Sequence, residues 1–180
     1  APDAGVVAVA AIAPASDLPV LVDSLQTVVG GSVFASYVLA AYADTYPDVD
    51  LRTYVDPAAR TLMREMSTRC LSEPGAFASV LTALSLTADR PYLRQDPMTG
   101  PLGAHLAANI PTGTLTVTLM LAQGEADPLV NPQMQADYVA ARRADGWNVD
   151  YRTFPGIDHG GIASDGSPLI PELLDWTEGA

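Results

Sequence analysis

The sequence predicts an α/β protein, a mostly parallel sheet interrupted by a long helical insertion. Two observations carry that reading. The last third of the 180-residue chain runs strand, acidic loop, helix, strand, histidine loop, which puts two parallel strands side by side. Near the start, Gly5 to Ala13 is an unbroken apolar, valine-rich stretch that reads as another strand. About ninety residues separate it from the later unit, where a single crossover helix needs only a few dozen.

Composition sets the frame. Apolar residues make up 48% and charged residues 17% of the chain, so a packed core is expected and disorder is not. The net charge is -12, spread as single acids with no acidic block. Without a basic patch, nucleic acid and anionic membranes are poor partners. No apolar run reaches membrane-spanning length. Residues 5–13 lack a basic leader and do not read as a signal peptide, although an exported protein would already have lost one. Cys70 is the single cysteine, which excludes a disulfide-rich scaffold. It is either a packed apolar residue or a bridge to another chain.

The elements follow in order. Gly5 to Ala13 ends at Pro14 and reads as a strand buried on both faces, with helix as the competing reading because of its alanines. Leu18 to Ser24 reads as a short helix. Gly30-Gly31 breaks the pattern, and Ser32 can cap a helix from Val33 to about Tyr46. There Phe34, Tyr37, Val38, Ala41 and Tyr42 recur at three and four, and Pro47 stops the run. Asp56-Pro57 is a helix start. Leu62, Met63, Met66 and Cys70 line one face of that helix, with Arg60, Arg64 and Arg69 at wetter positions. Ala76 to Leu84 is another short helix, residues 89–103 are rich in turn formers, and a last helix near Leu102 to Asn109 ends at Pro111. The organisation expected is therefore a core strand in 1–17, a helical cap or lid in 18–110, and the rest of the core in 111–180. A helical domain with no part in chemistry is the competing view of 18–110.

The later unit resolves into a strand from Thr114 to Leu121, a turn from Gly124 to Pro128, a helix from Asn131 to Ala144, a strand from Trp147 to Thr153, and a loop from Pro155 to Gly161. Asp127 lies in the first loop and His159 in the second. Alone, such an aspartate is usually a turn former, and a lone loop histidine is usually a surface residue. Together, with one helix and one strand between them, they return to neighbouring strand ends, where open parallel sheets carry their sites. Asp followed by His is the order of the last two members of an α/β-hydrolase triad. Histidine is the usual general base near neutral pH, and a carboxylate can hold its tautomer.

The nucleophile is missing, because no Gly-x-Ser-x-Gly occurs in these residues. Ser16, Ser32 and Ser164 have the wrong settings, and Cys70 belongs to a helix face. No zinc, calcium, phosphate-loop or dinucleotide pattern is present, so neither metal nor cofactor is expected. The chain reads as the C-terminal part of an enzyme whose N-terminal part is a separate or removed segment.

At this point the residues resemble the C-terminal portion of the secretory lipase family of α/β-hydrolases. VVAVAAIAPASDLPVLVDSL is similar to that family's strand and turn after the nucleophile helix. GGSVFASYVLAAYADTYPDVDLRTYVDP is similar to the start of its cap, LMLAQGEADPLVNPQMQADYVAARRADG to its acid strand and loop, and VDYRTFPGIDHGG to its histidine loop. The resemblance implies a secreted serine hydrolase of carboxylic esters, a lipase or esterase that holds acyl chains under its cap. It makes Asp127 the triad acid and His159 the base, and implies a partner segment bearing Gly-x-Ser-x-Gly. Cys70 becomes a candidate for a disulfide to that segment. Phe34, Tyr37, Leu62 and Met66 are candidates to line the acyl pocket, although they would equally pack the cap's own core. A peptidase of the same fold and a non-catalytic binding protein are the alternatives.

Overall fold

Three strands, β1 (Ala8–Ile12), β2 (Thr118–Gly124) and β3 (Val149–Phe154), form one parallel sheet in the order β1-β2-β3. The computed structural model describes residues 5–86 and 91–179. Residues 1–4 of the predicted first segment and 89–90 of the turn-rich stretch lie outside these. The chain divides into two compact units, one made of Ala1–Asp17 with Ile110–Ala180 and the other of Leu18–Asn109.

In the sheet unit, β2 is the central strand, and its side chains alternate between two cores. Leu119 and Leu121 pack with Val149 and with Tyr138 and Val139 of α7 (Pro132–Ala144). Met120 and Ala122 pack on the other face with Phe154, Ile162 and Leu169, the last at the start of α8 (Leu169–Glu178). A strand covered on both faces has no solvent side, so its sequence is a continuous apolar run. Helix α7 starts as its sequence predicts. The Asn131 side chain accepts the Gln133 N–H at 2.8 Å, and Pro132 fills the first helical position.

Two expectations about the strands need correction here. The first strand is not buried on both faces, since Val9 is 37% and Ile12 36% exposed. It is an edge strand hydrogen-bonded to β2 alone among the described residues, and both cores centre on β2 and β3. The second strand begins at Thr118 rather than Thr114 and runs on through Gly124. An apolar pattern marks what is buried, whereas the ladder begins where a neighbour supplies hydrogen bonds. Helix α8 was not anticipated at all, although Leu169, Leu173 and Trp176 carry its packing at helical spacing.

The other unit is helical: α1 (Leu18–Ser24), α2 (Gly31–Thr45), α3 (Leu51–Tyr54), α4 (Arg60–Ser67), α5 (Ala76–Leu84) and α6 (Gly100–Ala108). An isolated antiparallel β-bridge joins Val55 to Leu93. Ser32 is not a cap. Helix α2 begins at Gly31 after Gly30 turns with φ 78°, and Ser32 is buried inside the first turn. The tight turn explains the earlier start, because a Cβ on Gly31 would lie 2.1 Å from the Leu25 carbonyl oxygen. Asp56 accepts the Ala58 N–H at 2.8 Å, so its cap closes a turn just ahead of α4. The short helix α3 went unread despite the Asp50 cap on the Arg52 N–H. Tyr54, buried at its end, donates to the Thr99 carbonyl and accepts from the Leu102 N–H. No helix among the described residues is long and apolar enough to cross a membrane.

Candidate functional site

The site is built where β2 and β3 end. Strand β2 leaves the sheet through Gly124, and the acidic loop follows. Strand β3 leaves through Phe154, turns at Gly156 with φ 72°, and becomes the histidine loop. Backbone bonds sew the two loops together. The Glu125 N–H donates to the Phe154 carbonyl, and the Ala126 N–H donates to the Ile157 carbonyl, both at 3.0 Å. This close approach requires glycine at 124, since a Cβ there would lie 2.3 Å from the Ile157 carbonyl oxygen. The far side of the histidine loop is closed by Asp158, which accepts the Gly161 N–H at 2.7 Å and leads into a 3-10 turn over Gly161–Ala163.

These loops bring Asp127 and His159 together. The His159 Nδ1 lies 2.8 Å from Asp127 Oδ2. The Asp127 side chain is 0% exposed, while that of His159 is 39% exposed. Each carboxylate oxygen has its partners. Oδ1 accepts the Leu129 and Val130 N–H groups, each at 2.8 Å, and Oδ2 accepts the Gln123 side-chain amide at 3.0 Å in addition to His159. A buried carboxylate without partners is strongly unfavourable, whereas four donors hold this one in a single orientation. Because an ionised carboxylate can only accept, Nδ1 must carry the proton in this pair. The Nε2 lone pair is then left without a hydrogen-bond partner among the described residues, on a ring that is part exposed. Chemically, the arrangement is a base with its tautomer set from behind.

Gln123 is the site residue that sequence reading missed. It is fully buried, and its amide also reaches the carbonyls of Gly124 and Val130. It therefore ties the acidic loop back onto the strand that launches it. The available signal was a glutamine ending an otherwise apolar strand, since a polar side chain buried there must have partners.

The remaining candidates fall elsewhere. Ser16 is buried and donates to the Gln135 side chain, whose amide in turn reaches the Pro14 carbonyl, so its hydroxyl serves structure. Ser164 donates to the Gly161 carbonyl. In the helical unit, Met66 is fully buried, Phe34 and Leu62 are half-buried, and the Tyr37 hydroxyl donates to the Arg69 carbonyl. Two cavities of that unit, about 340 Å³ between α2, α3 and α4 and about 610 Å³ beside Leu25 and Tyr92, are not lined by any of these four. Cys70 is not part of a packed face. It lies beyond the end of α4, exposed and free, with its sulfur 3.0 Å from the Ser72 hydroxyl. Hydrogen bonds from Ser72 hold its thiol below the usual value. Among the described residues, no group of acids, histidines or cysteine could hold a metal ion.

Comparison with known proteins places the fold. No protein-family model matches the chain, and no curated protein matches it. Among solved structures it is similar to Candida antarctica lipase A in its closed state, with a TM-score of 0.69 and 14% identity over 99% of this chain and 43% of that one. A second structure of Candida antarctica lipase A gives a TM-score of 0.65 and 16% identity over 88% of this chain and 38% of that one. The chain thus spans less than half the length of the structures it matches. At this identity the likeness is one of fold. The chain has a parallel sheet flanked by helices, an α/β-hydrolase-like fold with helical insertions.

Proposed function

We propose that this chain is the C-terminal part of a secreted serine hydrolase of carboxylic esters, a lipase or esterase of the secretory lipase kind. The observation that carries the reading is the His159–Asp127 pair at the ends of neighbouring parallel strands, with Nδ1 facing the buried acid. The nucleophile is a serine in Gly-x-Ser-x-Gly on an N-terminal segment of the same protein. Among the described residues β1 pairs only with β2, and its other edge is where a further strand of that segment would add.

In this mechanism His159 Nε2 removes the serine proton as the hydroxyl oxygen bonds to the ester carbonyl carbon. The imidazolium, steadied by Asp127, then gives that proton to the departing alkoxide as the carbon–oxygen bond breaks. Water repeats the sequence on the acyl-enzyme and releases the acid. Backbone N–H groups of the N-terminal segment stabilise the oxyanion. The helical unit serves as the acyl-binding cap. The mechanism proposed uses no cofactor.

The test uses the whole protein, including the serine-bearing segment, with p-nitrophenyl esters, peptide anilides and a fluorophosphonate probe. Ester turnover and labelling of one serine are expected. His159→Ala should lower kcat by roughly 10⁴-fold with the melting temperature unchanged. Retention of more than about a tenth of kcat would remove His159 from the mechanism. Faster cleavage of anilides than of esters would make the protein a peptidase, and an unlabelled, inactive protein would make it a binding module.

A further inference from the structure

We propose that the helical unit carries a separate binding site for a single-chain amphiphile with a carboxylate head, a fatty-acid anion in chemical class. The site is the cavity between α2, α3 and α4. Its volume is about 340 Å³, room for about ten groups of water or methylene size at ~30 Å³ each. Leu39, Val55 and Met63, all buried, give it a largely apolar wall, with Ser36, Ser67 and Thr68 among the polar groups beside them.

The lining also gathers Arg52, Arg60 and Arg64. The chain has only nine basic residues and a net charge of -12, so placing three of them around one apolar hole is unusual. Arg69, Arg142 and Arg152 each pair with an acid. None of the three cavity arginines does so among the described residues. Arg60 and Arg64 stand one turn apart on α4, where like charges weaken a helix. Arg60 is held in place by its own bonds, donating from Nη2 to the Arg52 carbonyl at 2.9 Å and from Nε to the Val55 carbonyl at 3.3 Å. Asp44 is the one acid in the lining, and it forms no ion pair with them. Three guanidiniums against one carboxylate leave the lining net positive.

A largely apolar hole whose arginines lack an acid partner selects a ligand with both properties. A guanidinium fork matches a carboxylate in a bidentate fashion, and burying the alkyl chain supplies most of the affinity. A neutral ester offers these arginines no charge. The inference therefore does not rest on the hydrolase reading.

The test is calorimetric titration of the whole protein with decanoate, 1-decanol and butyrate below micelle-forming concentrations. Methionine ¹³C-methyl spectra locate the site. Decanoate should bind at one site, weakening about fourfold for each methylene removed, so that butyrate binds weaker by more than about three powers of ten, and decanol should be at least about tenfold weaker. Arg52→Gln and Arg64→Gln, both at exposed positions, should each weaken decanoate roughly tenfold without lowering the melting temperature. The Met63 methyl should shift, and the Met120 methyl in the sheet unit should not. Equal affinity for decanol and decanoate, unchanged affinity in both arginine variants, or an unmoved Met63 methyl would each overturn the proposal.

Discussion

The molecule contains two histidine–aspartate pairs, one in each unit, and their distances alone do not separate them. His159 lies 2.8 Å from Asp127 in the sheet unit, and His105 lies 2.9 Å from Asp48 in the helical unit. The acids differ. Asp127 is fully enclosed and accepts four donors, whereas Asp48 is 58% exposed. The nitrogens differ too. His159 meets its acid through Nδ1 and leaves Nε2 without a hydrogen-bond partner among the described residues. His105 spends Nε2 on both Asp48 oxygens while its ring stacks on Tyr46 at 3.8 Å between centroids. What makes a histidine available for chemistry is an acid held rigidly behind it and an outer nitrogen left open. A short contact by itself says little, since an exposed ion pair is worth ~1 kcal/mol or less.

The strongest way to break this contrast is to remove the acid. Asp127→Ala should lower ester turnover of the whole protein by roughly 10⁴-fold. It should also destabilise the fold by about 3 kcal/mol, because Gln123 and the Leu129 and Val130 N–H groups lose their acceptor. Urea denaturation measures the second effect separately from the first. A loss of activity with full stability would mean that the donors find other partners.

Next comes the backbone approach that brings the two loops together. Gly124→Val forces a side chain against the Ile157 carbonyl, so about 3 kcal/mol of stability should go, and the His159 ring resonances should change in the NMR spectrum. A variant of unchanged stability would show that the loops can separate without harm.

The smallest effect belongs to the other pair. His105→Ala should cost less than about 1 kcal/mol and leave kcat within a factor of two, read by thermal melting and ester turnover. A large loss of turnover in that variant would erase the contrast between the two histidines.

Much of the fold was legible in the sequence. Helices α1 and α5 span the residues read for them, and Asn131-Pro132 starts α7. The parallel β2–α7–β3 order follows from the change in apolar period between Met120, Tyr138 and Val149. The meeting of His159 with Asp127 was also legible, as a consequence of that order. Less legible were the features that depend on neighbours distant in the chain. Val9 and Ile12 look like core residues, yet they stand on an edge strand. Cys70 matches the apolar face of α4, yet the helix ends before reaching it. For Phe34, Tyr37, Leu62 and Met66, helical periodicity says only that a residue faces inward, not whether it meets a side chain or a void.

By itself, then, the sequence determined the fold class, the strand–helix–strand unit and the two residues that its loops carry to neighbouring strand ends. Those features follow from local periodicity and turn chemistry, which act over a few residues. Only the tertiary structure decided that Gln123 and two backbone N–H groups hold Asp127 and that Gly124 lets the loops touch. It alone collected around one cavity three arginines with no acid partner among the described residues. Such features depend on atoms brought within a few ångströms by the packing of distant segments, and no local pattern records which segments those will be.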